Sequence, residues 1–269
     1  MLLDQIKEEL HKLTKHKYIK LTKRGNRAIA LALSLISKGK TILIPSEGGW
    51  ITYKTLPKEK KLNVVEVECE DASLLLSDLK EKIKDESVAA ILYQNPGGYF
   101  APQPMKEIYT LCQSKNIIVI IDVSGGIGTE YCDGEFADIM VCSFGEWKLV
   151  EAGRGGFISC KEKALFSKIT EEDFSEEETI KKIKEQLTKL PQTISTLLTK
   201  RERIVNDLSS FSIRHKYADS FVVIIVFYSE QEKEKIVEYC IKSSLSWTQC
   251  PRYIRLNKPA ISIELKREK

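Results

Sequence analysis

The run Ile117-Ile-Val-Ile-Ile-Asp-Val123 limits what this chain can fold into more than any other stretch. A strand with one face in water alternates apolar and polar residues. This run does not alternate, so it predicts a strand buried on both faces near the middle of a sheet. Further apolar runs occur at Thr41-Ile-Leu-Ile-Pro45, Val88-Ala-Ala-Ile-Leu-Tyr93, Asp138-Ile-Met-Val-Cys142 and Phe157-Ile-Ser-Cys160, and Asn63-Val-Val-Glu-Val67 reads as another strand. Helical spacing of apolar residues predicts amphipathic helices over 2–15, 26–37, 73–84 and 104–115. Buried strands alternating with helices make parallel βαβ units, so the expected class is α/β, with a mostly parallel central sheet and flanking helices.

At 269 residues the chain exceeds the usual size of one domain. Its composition changes after 160: Thr170-Glu-Glu-Asp-Phe-Ser-Glu-Glu-Glu178 is an acidic, solvated stretch, and a lysine-rich helical pattern follows to about 209. A strand at 220–227, a helix at 230–243 and a strand at 260–265 complete the chain. We therefore expect a large domain over 1–168, then a bridging helix and a small C-terminal α+β domain over 169–269. No apolar run approaches the ~20 residues of a membrane span. The net charge is only +4, and the lysine runs alternate with acids, so neither a membrane nor a nucleic acid is expected as partner. Seven cysteines without a C-x-x-C pair point to reduced core thiols rather than a metal site. The N-terminal segment is an amphipathic helix start, not a signal peptide, which makes a cytoplasmic location the expectation.

Open α/β sheets bind ligands at the carboxyl ends of their strands, and polar residues stand at those ends here. Asp122 closes the most apolar strand, and a carboxylate there is costly to bury unless it is paired or coordinates something. A protonated ring nitrogen is one such partner and a metal is another, although no histidine or second carboxylate lies near it in sequence. Lys148, five residues after Ser143 and shortly before glycines 153, 155 and 156, is either a solvated loop residue or an amine that partial burial turns into a nucleophile. Gly25-Asn26 opens a helix, where Asn26 reads as an N-cap or as part of an anion site made by the unpaired N–H groups. Trp50, after Gly48-Gly49, offers a flat ring to a ligand or packs as a partly buried aromatic, with Tyr53 as the second choice. Asn95 sits either in an ordinary Asn-Pro-Gly turn or with its amide toward a ligand.

The segment Ser143-Phe-Gly-Glu-Trp-Lys148, continued to Gly153-Arg-Gly-Gly156, resembles the cofactor-lysine segment of the DegT/DnrJ/StrS aminotransferases, enzymes of fold type I that use pyridoxal phosphate. The order of parts along residues 20–160 is similar to that family too. The resemblance implies a Schiff base at Lys148 and Asp122 facing the pyridinium nitrogen. It implies phosphate contacts from Gly25, Asn26, Arg27 and Ser143, ring contacts from Trp50 and Asn95, and Ser124 beside the cofactor. Arg252 or Arg255 would fork onto a substrate carboxylate in many aminotransferases, and both also read as surface arginines flanking a strand.

Transamination between a small-molecule amino donor and a keto acceptor, in a homodimer, is what the resemblance implies. A lyase or desulfurase on the same scaffold and a non-catalytic binding or regulatory relative are the alternatives. The chain departs from the family at Asp122-Val-Ser-Gly125, where Asp-x-Ala-Gln is usual, so a polar contact to the cofactor's ring oxygen is missing. No metal is expected.

Overall fold

The computed structural model describes residues 2–268. Nine strands occupy the first part of the chain: β1 (Tyr18–Thr22), β2 (Thr41–Pro45), β3 (Asn63–Val67), β4 (Cys69–Glu70), β5 (Ser73–Leu74), β6 (Val88–Gln94), β7 (Ile118–Asp122), β8 (Ile139–Ser143) and β9 (Gly156–Cys160). Helices α1 (Leu2–Thr14), α2 (Gly25–Ser34), α3 (Leu56–Glu59), α4 (Leu76–Lys82), α5 (Met105–Gln113) and α6 (Lys163–Phe166) lie among them. Seven of the strands form one sheet in the order β1-β9-β8-β7-β6-β2-β3, with β7 at its centre. Strands β3, β2, β6, β7 and β8 run parallel. β9 alone runs against them, because no helix separates it from β8 and it returns directly beside that strand.

Alternation within the strands decides which layer each residue joins. Leu43, Ile91, Val119, Ile121 and Met140 pack on one side with Ile6 and Leu10 of α1 and Ile108 of α5. Ile42, Ala90, Leu92, Ile120 and Val141 pack on the other with Ala28, Ile29 and Ala32 of α2. Both faces of the sheet are thus covered, as the unbroken apolar runs require. Each fully buried isoleucine or leucine contributes roughly 1.5–3 kcal/mol by leaving water. α2 forms from Gly25-Asn-Arg-Ala-Ile-Ala-Leu-Ala-Leu-Ser34, whose alanines favour helix and let it lie close against the sheet.

One local reading changes. The predicted helix at 73–84 starts only at Leu76, because Ser73 and Leu74 pair with Glu70 and Cys69 in a small hairpin. Asp71 and Ala72 form its two-residue turn, both with positive φ, the conformation that matches hairpin twist. Tyr18–Thr22 is a sheet strand: it pairs with β9 at the sheet edge.

The 31-residue helix α7 (Glu177–Asp207) follows the acidic stretch. Beyond it, β10 (Ser212–Arg214), β11 (Val222–Val226), α8 (Glu230–Lys242), β12 (Leu245–Cys250) and β13 (Ala260–Glu268) complete the chain. The four strands form an antiparallel sheet ordered β10-β11-β13-β12. One face, with Val223, Ile225, Ile261 and Ile263, continues the core that includes Leu187, Leu190 and Leu197 of α7. The other, with Val222, Ile224 and Ala260, packs on Ala72, Phe100 and Ala101 of the larger sheet's loops. This second contact brings the small sheet over the carboxyl ends of the parallel strands.

Candidate active site

A cavity of about 260 Å³ opens at that junction. Its floor is made by the ends of β7 and β8, where Asp122, Ser124 and Ser143 line it. The start of α2 supplies Gly25 and Asn26, the loop after β2 supplies Trp50, and the loop between β8 and β9 supplies Lys148. Phe221, Val222, Arg255 and Glu264 of the small domain close the opposite wall.

Asp122 is buried and accepts three hydrogen bonds: from the Tyr53 hydroxyl at 2.9 Å, from the Ser124 amide at 2.9 Å and from the Ser124 hydroxyl at 2.5 Å. Burial, with the adjacent Asp122 charge, pushes the Tyr53 phenol well above its ordinary pKa of 10.0, so Tyr53 stays a donor. The Ser124 hydroxyl in turn accepts from the Ser143 amide at 2.8 Å, which locks the end of β8 to the end of β7.

Ser143 lies against the first residue of α2. A Cβ on Gly25 would stand 2.5 Å from the Ser143 Cβ and 2.9 Å from its Oγ, so only glycine lets the helix start approach this closely. The first N–H groups of a helix mostly lack partners within it, and the start of α2 lies against Ser143. Asn26 Oδ1 accepts from Trp50 Nε1 at 2.9 Å, which ties the indole ring to the helix start.

Lys148 Nζ donates to the Tyr99 hydroxyl. It stands 4.6 Å from the centre of the Tyr99 ring and 5.2 Å from that of Trp50.

The structure brings together Gly25, Asn26, Trp50, Asp122, Ser124, Ser143 and Lys148. Three expected residues lie elsewhere. Asn95 is fully buried outside the cavity lining, its amide donating to the Tyr131 carbonyl at 3.0 Å and accepting from the Gln103 amide at 3.1 Å; the turn it stabilises took the side chain. Arg27 points from the outer face of α2 to Glu171, with Nε donating at 2.6 Å, because one residue along a helix rotates the side chain away from the cavity. Arg252 is half-buried and does not line the cavity. Arg255 does line it, but its fork is occupied by Glu264, at 3.1 Å and 2.6 Å, which removes the free guanidinium that a substrate carboxylate needs.

Tyr99 escaped the sequence reading, although its signal was present. Gly97-Gly98-Tyr99 repeats, at the end of β6, the glycine-pair-then-aromatic pattern that singles out Trp50 after β2. Glu264, Lys266 and Arg267 of β13 also line the cavity; nothing local in the sequence of this inner strand of the small sheet marked them. Of the cysteines near the site in sequence, Cys142 and Cys160 lie on strands and Cys132 lies in a loop. All three are buried, and burial pushes each thiol up, Cys132 and Cys160 to about 12. None has the exposed, low-pKa character of a reactive desulfurase cysteine. Among the described residues no group of three or more metal-ligating side chains stands together, and no helix is long and apolar enough to cross a membrane.

The same architecture occurs in known enzymes at low identity. A GDP-4-keto-6-deoxymannose-3-dehydratase with a trapped PLP-glutamate geminal diamine superposes with a TM-score of 0.80 at 17% identity, over 98% of this chain and 88% of that one. PseC of Helicobacter pylori, an aminotransferase of pseudaminic acid biosynthesis, gives 0.77 at 17% identity over 98% and 85%. The putative sugar aminotransferase Spr1654 of Streptococcus pneumoniae gives 0.75 at 13% over 98% and 86%. These likenesses establish the fold, that of the fold-type-I enzymes. No curated protein matches the sequence significantly. The sequence itself matches one family over residues 2–214, across the seven-stranded sheet and α7, and the chain belongs to the DegT/DnrJ/EryC1/StrS aminotransferase family.

Proposed function

We propose that this protein is a pyridoxal-phosphate-dependent aminotransferase in which Lys148 is the amine that carries the cofactor. One observation supports this above the others: Asp122, at the end of β7, and Lys148, in the loop after β8, face one cavity that also holds a ring-sized aromatic wall and a helix start. The residues fit the cofactor's three chemical ends. The start of α2 with Gly25, Asn26 and Ser143 suits a phosphate, through unpaired N–H groups and two short polar side chains. Trp50, held by Asn26, offers its face to a pyridine ring. Asp122, fixed by Tyr53 and Ser124, suits a protonated ring nitrogen.

When bound, pyridoxal phosphate supplies an aldehyde for a substrate amine and a ring that withdraws electrons from the substrate's α-carbon. The protein's contribution is positional and acid–base. Asp122 orients the ring and keeps a negative charge beside its nitrogen. Lys148, once its amine is free, would serve as the base that takes the proton from the substrate's α-carbon and as the acid that returns it. Phe221, Val222 and Ile254, apolar residues of the cavity lining, would keep water from that path.

The substrates are a small-molecule amino donor and a keto acceptor. The reading extends to a division of labour between residues 1–168, which hold the cofactor, and 169–269, which close the cavity. It also extends to a symmetric homodimer in the cytoplasm. The cysteines support the last point: all seven are free, as in a reducing compartment.

The test is a spectral titration of the cofactor-free protein with pyridoxal phosphate. The wild-type protein is expected to gain the visible band of a lysine-bound cofactor, and Lys148→Ala is expected to lack it while still binding the phosphate end. A band of equal strength in Lys148→Ala would sink the proposal. Light scattering tests the dimer, and a panel of amines added to the coloured protein identifies the donor.

A further inference from the structure

Tyr99 combines four features that the reading above does not use. Its backbone is left-handed, with φ of 69°, in a residue that has a Cβ and is therefore strained there. Its ring lies directly on Gly125, where a Cβ would collide with ring atom Cδ1. On the ring's other contact, the Arg255 guanidinium carbon stands 4.9 Å from the ring centre, and Arg255 is itself locked by Glu264. Its hydroxyl receives the hydrogen bond of Lys148 Nζ.

A strained backbone persists only where its surroundings over-determine it. Here the determinants come from three parts of the chain: the Gly97-Gly98 turn below, the glycine after β7 at the side, and the ion pair of the small domain above. All of them fix one phenol beside one amine.

We propose that Tyr99 is the positioning residue for Lys148, holding its amine in the cavity whenever that amine is not bonded to the cofactor. The small domain acts through it: the Arg255–Glu264 pair serves to clamp the Tyr99 ring rather than to bind a substrate carboxylate. Gly125, one of the two positions at which Asp122-Val-Ser-Gly125 departs from Asp-x-Ala-Gln, is then explained by the space the ring needs. The inference rests on the reading of Lys148 as the cofactor lysine. It adds no covalent step. Tyr99 accepts a hydrogen bond from the ammonium form, and its own O–H is a donor to the free amine, so both protonation states of Lys148 are held in one place.

The experiment compares wild-type, Tyr99→Phe and Lys148→Ala as full-length protein. The rate at which the visible band forms is measured after mixing cofactor-free protein with pyridoxal phosphate, and kcat and KM are measured with the amine found active. Phenylalanine keeps the ring on Gly125 and under Arg255, so the melting temperature should stay near wild type. Loss of one hydrogen bond to a charged group predicts band formation slowed about tenfold in Tyr99→Phe. It predicts a similar fall in kcat with KM little changed, a split that a merely structural tyrosine would not produce. Band formation and kcat at wild-type values in Tyr99→Phe, with Lys148→Ala colourless, would overturn this inference alone. A band retained by Lys148→Ala would overturn the reading of Lys148 and this inference with it.

Discussion

At the scale of single residues, the candidate site depends on two glycines whose value lies in what they lack. Gly25 permits the start of α2 to touch Ser143, and Gly125 leaves room for the Tyr99 ring. Gly25→Ala should force Ser143 or the helix start aside. Overpacking of this kind costs about 1–3 kcal/mol, and pyridoxal phosphate affinity should fall at least tenfold. Urea denaturation and a spectral titration measure the two effects separately. Asp122→Asn keeps the shape and two of the three hydrogen-bond donors satisfied but removes the charge. Turnover should drop by roughly a hundredfold, as for other lost electrostatic contacts at a reacting centre, with the protein still coloured. A turnover within a few-fold of wild type would show that Asp122 does not face the ring. Neither glycine announces its role in the sequence, because the atoms that a Cβ would meet lie 118 residues away in one case and 26 in the other.

Among elements, the contact that matters most joins the loop before β13 to β13 itself. Arg255 and Glu264 are both about 5% exposed, and their bidentate pairing is completed by the Ser262 hydroxyl, which donates to Glu264 at 2.9 Å. Burial works to raise the Glu264 carboxyl, but the charge and hydrogen bonds of Arg255 outweigh it and hold the pKa below the ordinary value. Glu264→Gln strands a buried guanidinium and should destabilise the protein by about 3–5 kcal/mol, whereas the double change Arg255→Met, Glu264→Leu should cost much less. Chemical denaturation of both variants provides the check. The double variant keeps the small sheet but lacks the clamp on Tyr99, so it should also show slow band formation despite its near-normal stability.

Over the whole molecule, residues far apart in sequence are tied together early and late in the chain. His16, between α1 and β1, is buried and bonds to Ser159 of β9 at 3.0 Å and to the carbonyls of Gly134 and Ala137 at 3.1 and 3.2 Å. Burial depresses its pKa below the ordinary 6.5, and the two carbonyls offset this only in part. The ring is therefore neutral in the folded protein where an unfolded chain would already bind a proton. Its contribution to stability is complete above about 6.5 and is lost progressively as the pH falls from there toward the depressed folded value. The melting temperature of the wild type should fall between pH 7 and pH 5 more steeply than that of His16→Asn, by roughly 2–4 °C per kcal/mol of linked protonation. Parallel slopes would remove His16 from the account. Because one apolar core runs from Leu43 and Ile121 of the large sheet through α7 to Ile263 of the small one, both parts should melt in a single transition.

Most of the large sheet and both ends of the proposed chemistry were legible in the sequence. Unbroken apolar runs give buried parallel strands, and such strands place Asp122 and Ser143 at their carboxyl ends, with Lys148 in the loop that follows. Period and polarity are local properties, so one sequence carries them. Side-chain direction past a turn is not local: Asn95 and Arg27 had the right types at the right places and were turned away, by a loop hydrogen bond and by one residue of helical rotation. The same holds for Arg255, whose partner Glu264 comes to it only through the pairing of the small sheet, and for Tyr99, whose contact with Lys148 exists only because two strand-end loops meet over β7. The sequence by itself determined which strands are buried and which chemistry stands at their ends. Only the tertiary structure decided which polar groups are free to use it, because that depends on partners brought together from distant segments.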